Sequence, residues 1–280
     1  RVPLILPVTG HPKHLVIVGG GPAGITCALT ASRRGHQVTL LEKEPVLTGK
    51  LNIACHGEHK ADLRRFRDYL LTQLRKSSVT VHTGVLADTD VVRGLKPDAL
   101  VIAVGATPSR IPLPGVDGDN CMQISEFLQS PDTSLQHYII IGGGSVGCET
   151  ALDLAEKGKD VSIIEMADCL ASASNDLYRL ALSEHFARYD NLHTYLNSAC
   201  QSIDADGVNV LTNGASTHIS GDKVLLSLGF RPDAKQVSSL YGIVPDTYYV
   251  GDCERVATVA EAVNNAYFIG ANVFQEQDII

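Results

Sequence analysis

The stretch "IIGGGSVGCET" at residues 140–150 repeats, with changed details, "IVGGGPAGITC" at residues 17–27. A shift of 123 positions lays Gly19, Gly21 and Gly24 on Gly142, Gly144 and Gly147, and carries Gly35 onto Gly158 and Glu42 onto Glu165. In a G-x-G-x-x-G run the first glycine permits a tight turn and the second lets a pyrophosphate approach the backbone. The third lets helix and strand pack closely, and the helix N-terminus faces the phosphates. One such run alone is weak evidence. Here each copy follows an apolar strand, opens a helix and reaches a glutamate at a strand end 23 residues after its first glycine, where a ribose hydroxyl would sit. Two cradles imply two dinucleotides, and so a transfer between them.

Outward from the first copy, the apolar run at 15–18, a small-residue helix to about Arg34 and "QVTLLE" ending at Glu42 form a βαβ unit. An amphipathic helix from about Lys60 to Lys76, then "VTVH" and the buried-strand run "DALVIAVG" at 98–105, extend it into a doubly wound sheet. Residues 106–118, with three prolines and two glycines, read as a crossing linker. Beyond it the order repeats: strand 138–141, helix 146–157, strand 161–165, a helix from about 175 to 188, and strands near 193–195, 199–203 and 208–211. The run "KVLLSLG" at 223–229 closes this second unit.

The last segment, "YYVGDCERVATVAEAVNNAYFIGANV", reads as one strand and a long helix, too little for a domain of its own. It is expected back on the first sheet. The fold class is therefore α/β, two Rossmann-like, three-layer dinucleotide-binding domains, with one inserted in a discontinuous other. The expected boundaries are an N-terminal arm at 1–13, a first domain at 14–112 and 231–280, and a second at 113–230.

The composition supports a globular protein. A formal charge of −8 argues against a nucleic-acid partner, because such proteins gain affinity from clustered Lys and Arg. The strongest basic run, RRFR at 64–67, falls on the solvated face of a helix whose Leu63, Phe66, Leu70 and Leu74 recur at helical spacing. No apolar run reaches the length of a membrane span and the first residues lack the order of a signal peptide, so no membrane partner and a cytoplasmic home are expected. The seven cysteines form no CxxC pair and no zinc-like grouping, and no metal is expected. Because the chain starts at Arg1 in the extended "VPLILPVTGHP", it is expected to be a piece of a longer protein or a processed one.

Glu165 bears on the choice of nicotinamide. A carboxylate there hydrogen-bonds the 2′-hydroxyl of NAD, whereas NADP needs a Lys or Arg for its 2′-phosphate, and residues 166–178 contain neither. NADH rather than NADPH is expected in the second site. The first should hold a different dinucleotide, since two bound nicotinamides have nothing to exchange, and FAD meets that need. Asp252, delivered with Gly251 by the last strand, either accepts a bond from a ribitol hydroxyl or caps a helix. The helix start at Thr258 and Val259 would stabilise negative charge developing on a reduced flavin.

The blocks "HLVIVGGGPAG…HQVTLLEKEPVLTGKLNIA", "AVGATPSRIPLPG", "IIGGGSVGCETA" and "YYVGDC…AEAVNNAY" resemble the FAD/NAD(P)-binding half of the 2,4-dienoyl-CoA reductase and enoate reductase family of NADH:flavin oxidoreductases. The resemblance covers nearly the whole chain. It implies a relay from reduced nicotinamide to FAD, then through a 4Fe-4S cluster to FMN and an activated carbon–carbon double bond. The cluster and the FMN belong to an N-terminal barrel that this chain lacks, so the acceptor would be a barrel domain or subunit outside it.

Matched by position, FAD would be held by Gly19, Gly21, Pro22, Ala23, Gly24, Glu42, Lys43, Gly49, Lys50, Leu51, Asn52, Ala103, Gly105, Gly251, Asp252, Thr258 and Val259. NADH would be held by Gly142, Gly144, Ser145, Val146, Gly147, Glu149, Glu165 and Gly229. The family usually reads GGQ where this chain has Thr48, Gly49 and Lys50. That departure leaves the backbone approach at 48 open, and leaves Lys50 as either a cation beside the flavin or a solvent-facing lysine. Glu149 is either a carboxylate near the nicotinamide or an exposed helix residue.

Disulfide reductases of related architecture need two thiols beside the flavin. Cys55 is nearest, but Lys60 stands where its C-x4-C partner would be. Cys148 and Cys253 sit near helix starts, where a thiol pKa can fall, or else simply pack. Two other readings remain: a non-catalytic module binding only an adenine nucleotide in its first site, and a stand-alone NADH:acceptor reductase.

Overall fold

The computed structural model describes residues 6–57 and 60–274. The arm expected at 1–13 therefore falls in part, at 1–5, outside the described residues. The chain folds into two compact units. Unit 1 takes the described residues up to Thr107 and again from Phe230, and unit 2 spans Pro108–Gly229.

Unit 1 begins with β1 (His14–Val18), α1 (Pro22–Arg33), β2 (Gln37–Glu42), α2 (Leu51–Ala54), α3 (Ala61–Arg75), β3 (Thr80–Thr83), α4 (Thr89–Gly94) and β4 (Ala99–Ile102). The short β5 (Ala106–Pro108) leads away. Unit 2 runs β6 (Cys121–Gln123), α5 (Ile124–Gln129), β7 (His137–Ile141), α6 (Ser145–Glu156), β8 (Asp160–Ile164), α7 (Asp176–Phe186) and β9 (Leu192–Tyr195). It continues with β10 (Ser198–Asp204), β11 (Gly207–Thr212), β12 (Ala215–Ser220) and β13 (Lys223–Leu226). The chain re-enters unit 1 through β14 (Phe230–Pro232), which pairs with β5, and ends in α8 (Ala234–Leu240), β15 (Thr247–Tyr249), a 3-10 turn at Gly251–Cys253 and α9 (Val259–Asn272).

Both main sheets are five-stranded and parallel, in the order β15-β4-β1-β2-β3 and β6-β13-β7-β8-β9. Their central strands are covered on both faces, which is why they read as unbroken apolar runs rather than alternating ones. In β1, Leu15 and Ile17 join a core with α1, α3 and α9, while Val16 and Val18 join another with Val92 of α4 and Leu240 of α8. In β7, Tyr138 and Ile140 pack with α5, α6 and α7, and Ile139 and Ile141 pack with Ile203, Val208 and Ile219 of the antiparallel ribbon β10-β11-β12. The ribbon replaces the helical layer on that side.

The last segment returns to the first sheet, Thr247–Tyr249 pairing with Leu100–Ile102, so the second unit is inserted in a discontinuous first. Several elements go beyond the sequence reading. The linker at 106–118 contributes β5, the edge strand β6 flanks β13, and β12 completes the ribbon. The RRFR run lies on α3, where Arg64 donates to the carbonyls of Cys55 and Gly57. No helix among the described residues is long and apolar enough to cross a membrane.

Candidate functional site

Each glycine run forms the loop between the first strand and first helix of its unit's β-α-β core. Gly19 (φ +115°) and Gly142 (φ +104°) turn so tightly that a Cβ would strike the carbonyl oxygens of Ala103 and Ser227. A Cβ on Gly24 or Gly147 would fall on the carbonyl oxygen of Gly19 or Gly142. Gly21 and Gly144, the N-caps of α1 and α6, have no atom within 4 Å of where a Cβ would stand. The closed sides therefore lock strand, loop and helix together, while the open side lies at the helix N-terminus, where a pyrophosphate would be cradled.

The two strand-end glutamates brace their own loops. Glu42 Oε2 accepts from Gly20 N–H at 2.6 Å and its Oε1 from Glu44 N–H at 2.8 Å. Glu165 repeats the pattern with Gly143 N–H at 2.6 Å and Ala167 N–H at 2.8 Å. Each carboxylate spends one lone-pair site per oxygen on its own loop, which leaves further acceptor sites on both oxygens.

The duplication extends past the glutamates to residues the sequence reading did not single out in the second copy. Thr48 (φ +74°) and Ala171 (φ +48°), again 123 positions apart, donate their N–H groups to the carbonyls of Gly20 and Gly143 at 2.7 and 2.8 Å. Leu47 and Leu170 lie against Gly20 and Gly143, so closely that a Cβ there would collide with them. Carrying the same shift five or six residues beyond Glu42 would have found them. A β-branched residue at positive φ is strained by roughly 1–3 kcal/mol. Thr48 is fully buried and held in place by its hydroxyl, which donates to Leu47 O and lies 2.7 Å from Asn52 Oδ1. The backbone at 48 thus approaches Gly20 closely although the residue there is a threonine.

The other residues named from sequence for the first site have these positions in unit 1. Pro22 opens α1, Ala23 is buried against Gly251, and a Cβ on Gly49 would contact Gly21. Leu51 is buried, Asn52 donates to Leu47 O, Gly105 and Gly251 take positive φ, and Lys43 is exposed. Lys50 is partly exposed and paired: its Nζ lies 2.6 Å from Asp252 Oδ2 and 4.0 Å from the centre of the Phe230 ring. Asp252 does not cap α9; that helix starts with a capping box in which Thr258 and Glu261 satisfy each other's backbone N–H, with Val259 as its first residue. In unit 2, Ser145 Oγ pairs with Ser174 Oγ, Val146 is exposed on the first turn of α6, and Gly229 takes positive φ. Glu149 is half-buried and accepts from the Tyr178 hydroxyl at 3.0 Å; burial first, and then the neighbouring carboxylate, raise the tyrosine's pKa.

All seven cysteines are free thiols. Burial pushes Cys27 and Cys148 up to about 12 and raises Cys55 and Cys253, so the helix starts near Cys148 and Cys253 do not make them thiolates. Among the described residues no group of His, Cys, Asp or Glu is placed to hold a metal ion.

The family model described as "Pyridine nucleotide-disulphide oxidoreductase" matches residues 13–266, spanning both units. The chain belongs to this family. Within the pyridine nucleotide-disulphide oxidoreductases it is 34% identical to the "NADH oxidase" of Thermoanaerobacter brockii over 91% of this chain and 40% of that protein. It is 33% identical to the "Bilirubin reductase" of Mediterraneibacter gnavus over 93% of this chain and 41% of that protein. The structure of a 2-naphthoyl-CoA reductase in complex with 2-naphthoyl-CoA matches with a TM-score of 0.89 at 28% identity, covering 96% of this chain and 41% of the other. The chain thus spans about two-fifths of these relatives. As a pyridine nucleotide-disulphide oxidoreductase it is an FAD/NAD(P)H oxidoreductase module homologous to the C-terminal part of larger reductases.

Proposed function

We propose that unit 1 binds FAD, that unit 2 binds NADH in preference to NADPH, and that the chain passes a hydride from NADH to the flavin. The observation that carries this reading is the paired cradle. Both loops are closed where glycines pack and open at the helix N-terminus, and each holds a strand-end glutamate with lone pairs to spare. Bound FAD would supply the ring that accepts the hydride. The chain's residues would supply position: Gly19, Gly21 and Gly24 at the pyrophosphate, Glu42 at the ribose, Asp252 at the ribitol, and the start of α9 at the pyrimidine edge. Gly142, Gly144, Gly147 and Glu165 would hold NADH. Orientation of donor and acceptor does most of the work in such a transfer, and no general acid–base pair is called for.

The electrons would leave for an acceptor outside this chain, namely an FMN- and iron–sulfur-bearing barrel domain or subunit. The final substrate would be an enoate or enoyl-CoA double bond. The chain covers 40% and 41% of its two relatives, which supports an acceptor carried on the remaining part of such proteins.

Anaerobic stopped-flow reduction tests the reading. The FAD-loaded protein should be yellow and bleach with NADH at least tenfold faster than with NADPH at equal, subsaturating concentrations. Glu165→Ala should weaken NADH about tenfold or more while leaving FAD retention unchanged. Equal losses of both cofactors would overturn the assignment. A colourless protein that takes up adenine nucleotides but no FAD would establish the structural-module reading instead.

A further inference from the structure

Lys50 and Asp252 are 202 positions apart in sequence, yet their side chains form a 2.6 Å ion pair, with 32% and 19% of their respective side-chain surfaces exposed. Lys50 follows the two positive-φ residues Thr48 and Gly49, which carry the chain over Gly20 and Gly21, and it opens α2. Its ammonium is gripped from two directions, by the Asp252 carboxylate and by the face of Phe230 at 4.0 Å. The other carboxylate oxygen of Asp252 faces Ala257 N–H at 3.4 Å. Unit 2 has nothing comparable at the corresponding place, because the residue 123 positions beyond Lys50 is Ala173. A charged pair thus stands beside one cradle of the duplicated pair and not beside the other.

We infer that Lys50 is a charge-compensating positioning residue for the flavin: by neutralising Asp252 at the cofactor's edge, it makes reduction of FAD easier. This deepens the proposed function and rests on its placement of FAD in unit 1. Uptake of a hydride from NADH, which leaves as NAD⁺, brings two electrons and one proton, so the pocket gains one negative charge until a second proton arrives from solvent. A bare Asp252 carboxylate nearby opposes that gain. The Lys50–Asp252 pair is neutral overall and does not. The pair also leaves lone pairs on Asp252 for a ribitol hydroxyl, since a carboxylate has about four acceptor sites.

The test is the two-electron midpoint potential of bound FAD, measured by spectroelectrochemistry on the reconstituted protein, with FAD affinity measured alongside. Lys50→Gln should shift the oxidised-to-reduced ratio about tenfold toward oxidised at a fixed applied potential, a fall of about 30 mV for a two-electron couple. Lys50→Arg should stay within threefold of the parent. Asp252→Asn, which leaves the ammonium uncompensated, should move the potential the other way. The double variant Lys50→Gln/Asp252→Asn should return it to within threefold.

If Lys50→Gln fails to hold FAD, the opposite shift in Asp252→Asn decides, and its absence overturns the inference. An unmoved potential in Lys50→Gln also overturns it while leaving FAD in unit 1. A shift that the double variant does not reverse overturns compensation in favour of direct contact with the ring. A parent protein that takes up no FAD overturns the proposed function, and this inference with it.

Discussion

Units 1 and 2 build the same parallel sheet around the same glycine loop, yet they complete it from opposite ends of the chain. The strand beyond β4 is β15, which arrives last, and the strand beyond β13 is β6, which comes before the rest of its unit. With β15 comes α9, whose Gly270 approaches α1 so closely that a Cβ would lie 2.7 Å from Cys27 O. Helix α1 is consequently buried along nearly its whole length, whereas α6 keeps Val146 and Glu156 exposed. The glutamate and backbone bonds of the loop, by contrast, are matched between the units. Local residues set the cradle, and topology sets what surrounds it.

If the cradles are equivalent and independent, breaking each should silence only its own ligand. Gly24→Val and Gly147→Val each place a side chain on a loop carbonyl, an overpacking cost approaching 3 kcal/mol. Each should weaken its own dinucleotide about a hundredfold and leave the other within threefold, as read by FAD retention and NADH titration. Cross-effects of similar size would end the comparison.

The difference in helix burial predicts a smaller, one-sided effect. Gly270→Leu should destabilise unit 1 by about 1–3 kcal/mol. Hydrogen exchange should then show lost protection in α1 and β15 and none in α6.

A third contrast lies at the turn after the first helix, where unit 1 has a buried His36 and unit 2 has Lys159. Burial and the charges of Arg34 and Lys13 lower the His36 pKa below 6.5. The unfolded chain therefore binds the proton more readily than the folded one, and stability falls as pH drops below 6.5. His36→Gln should flatten that part of the melting-temperature profile.

The smallest effect compares the two positive-φ residues. Ala171→Gly should stabilise by about 0.5–1 kcal/mol by relieving backbone strain. Thr48→Gly should gain less, because it also loses the hydroxyl's contacts with Leu47 and Asn52. Chemical denaturation distinguishes the two.

What was legible in the sequence was what recurs at short range: glycines at fixed spacing, apolar runs for strands covered on both faces, and the glutamate 23 residues on. The return of β15 to the first sheet was legible because a lone strand and helix cannot form a core. Strand β12 was not, because "ASTHIS" buries only Ile219, set opposite Val208, and shows no apolar alternation. The Lys50–Asp252 pair escaped notice for a different reason. Its partners lie in loops on either side of an inserted unit, and nothing in local pattern couples residues 202 positions apart.

The insertion also fixes an order of assembly during synthesis. At about 5–20 residues per second, the 122 residues of unit 2 leave the ribosome over roughly 6 to 24 seconds, all before β15 and α9 exist. Unit 2 can mature on its own schedule. The half that receives Asp252 must wait with an open sheet edge, beside β4, until β15 has been made.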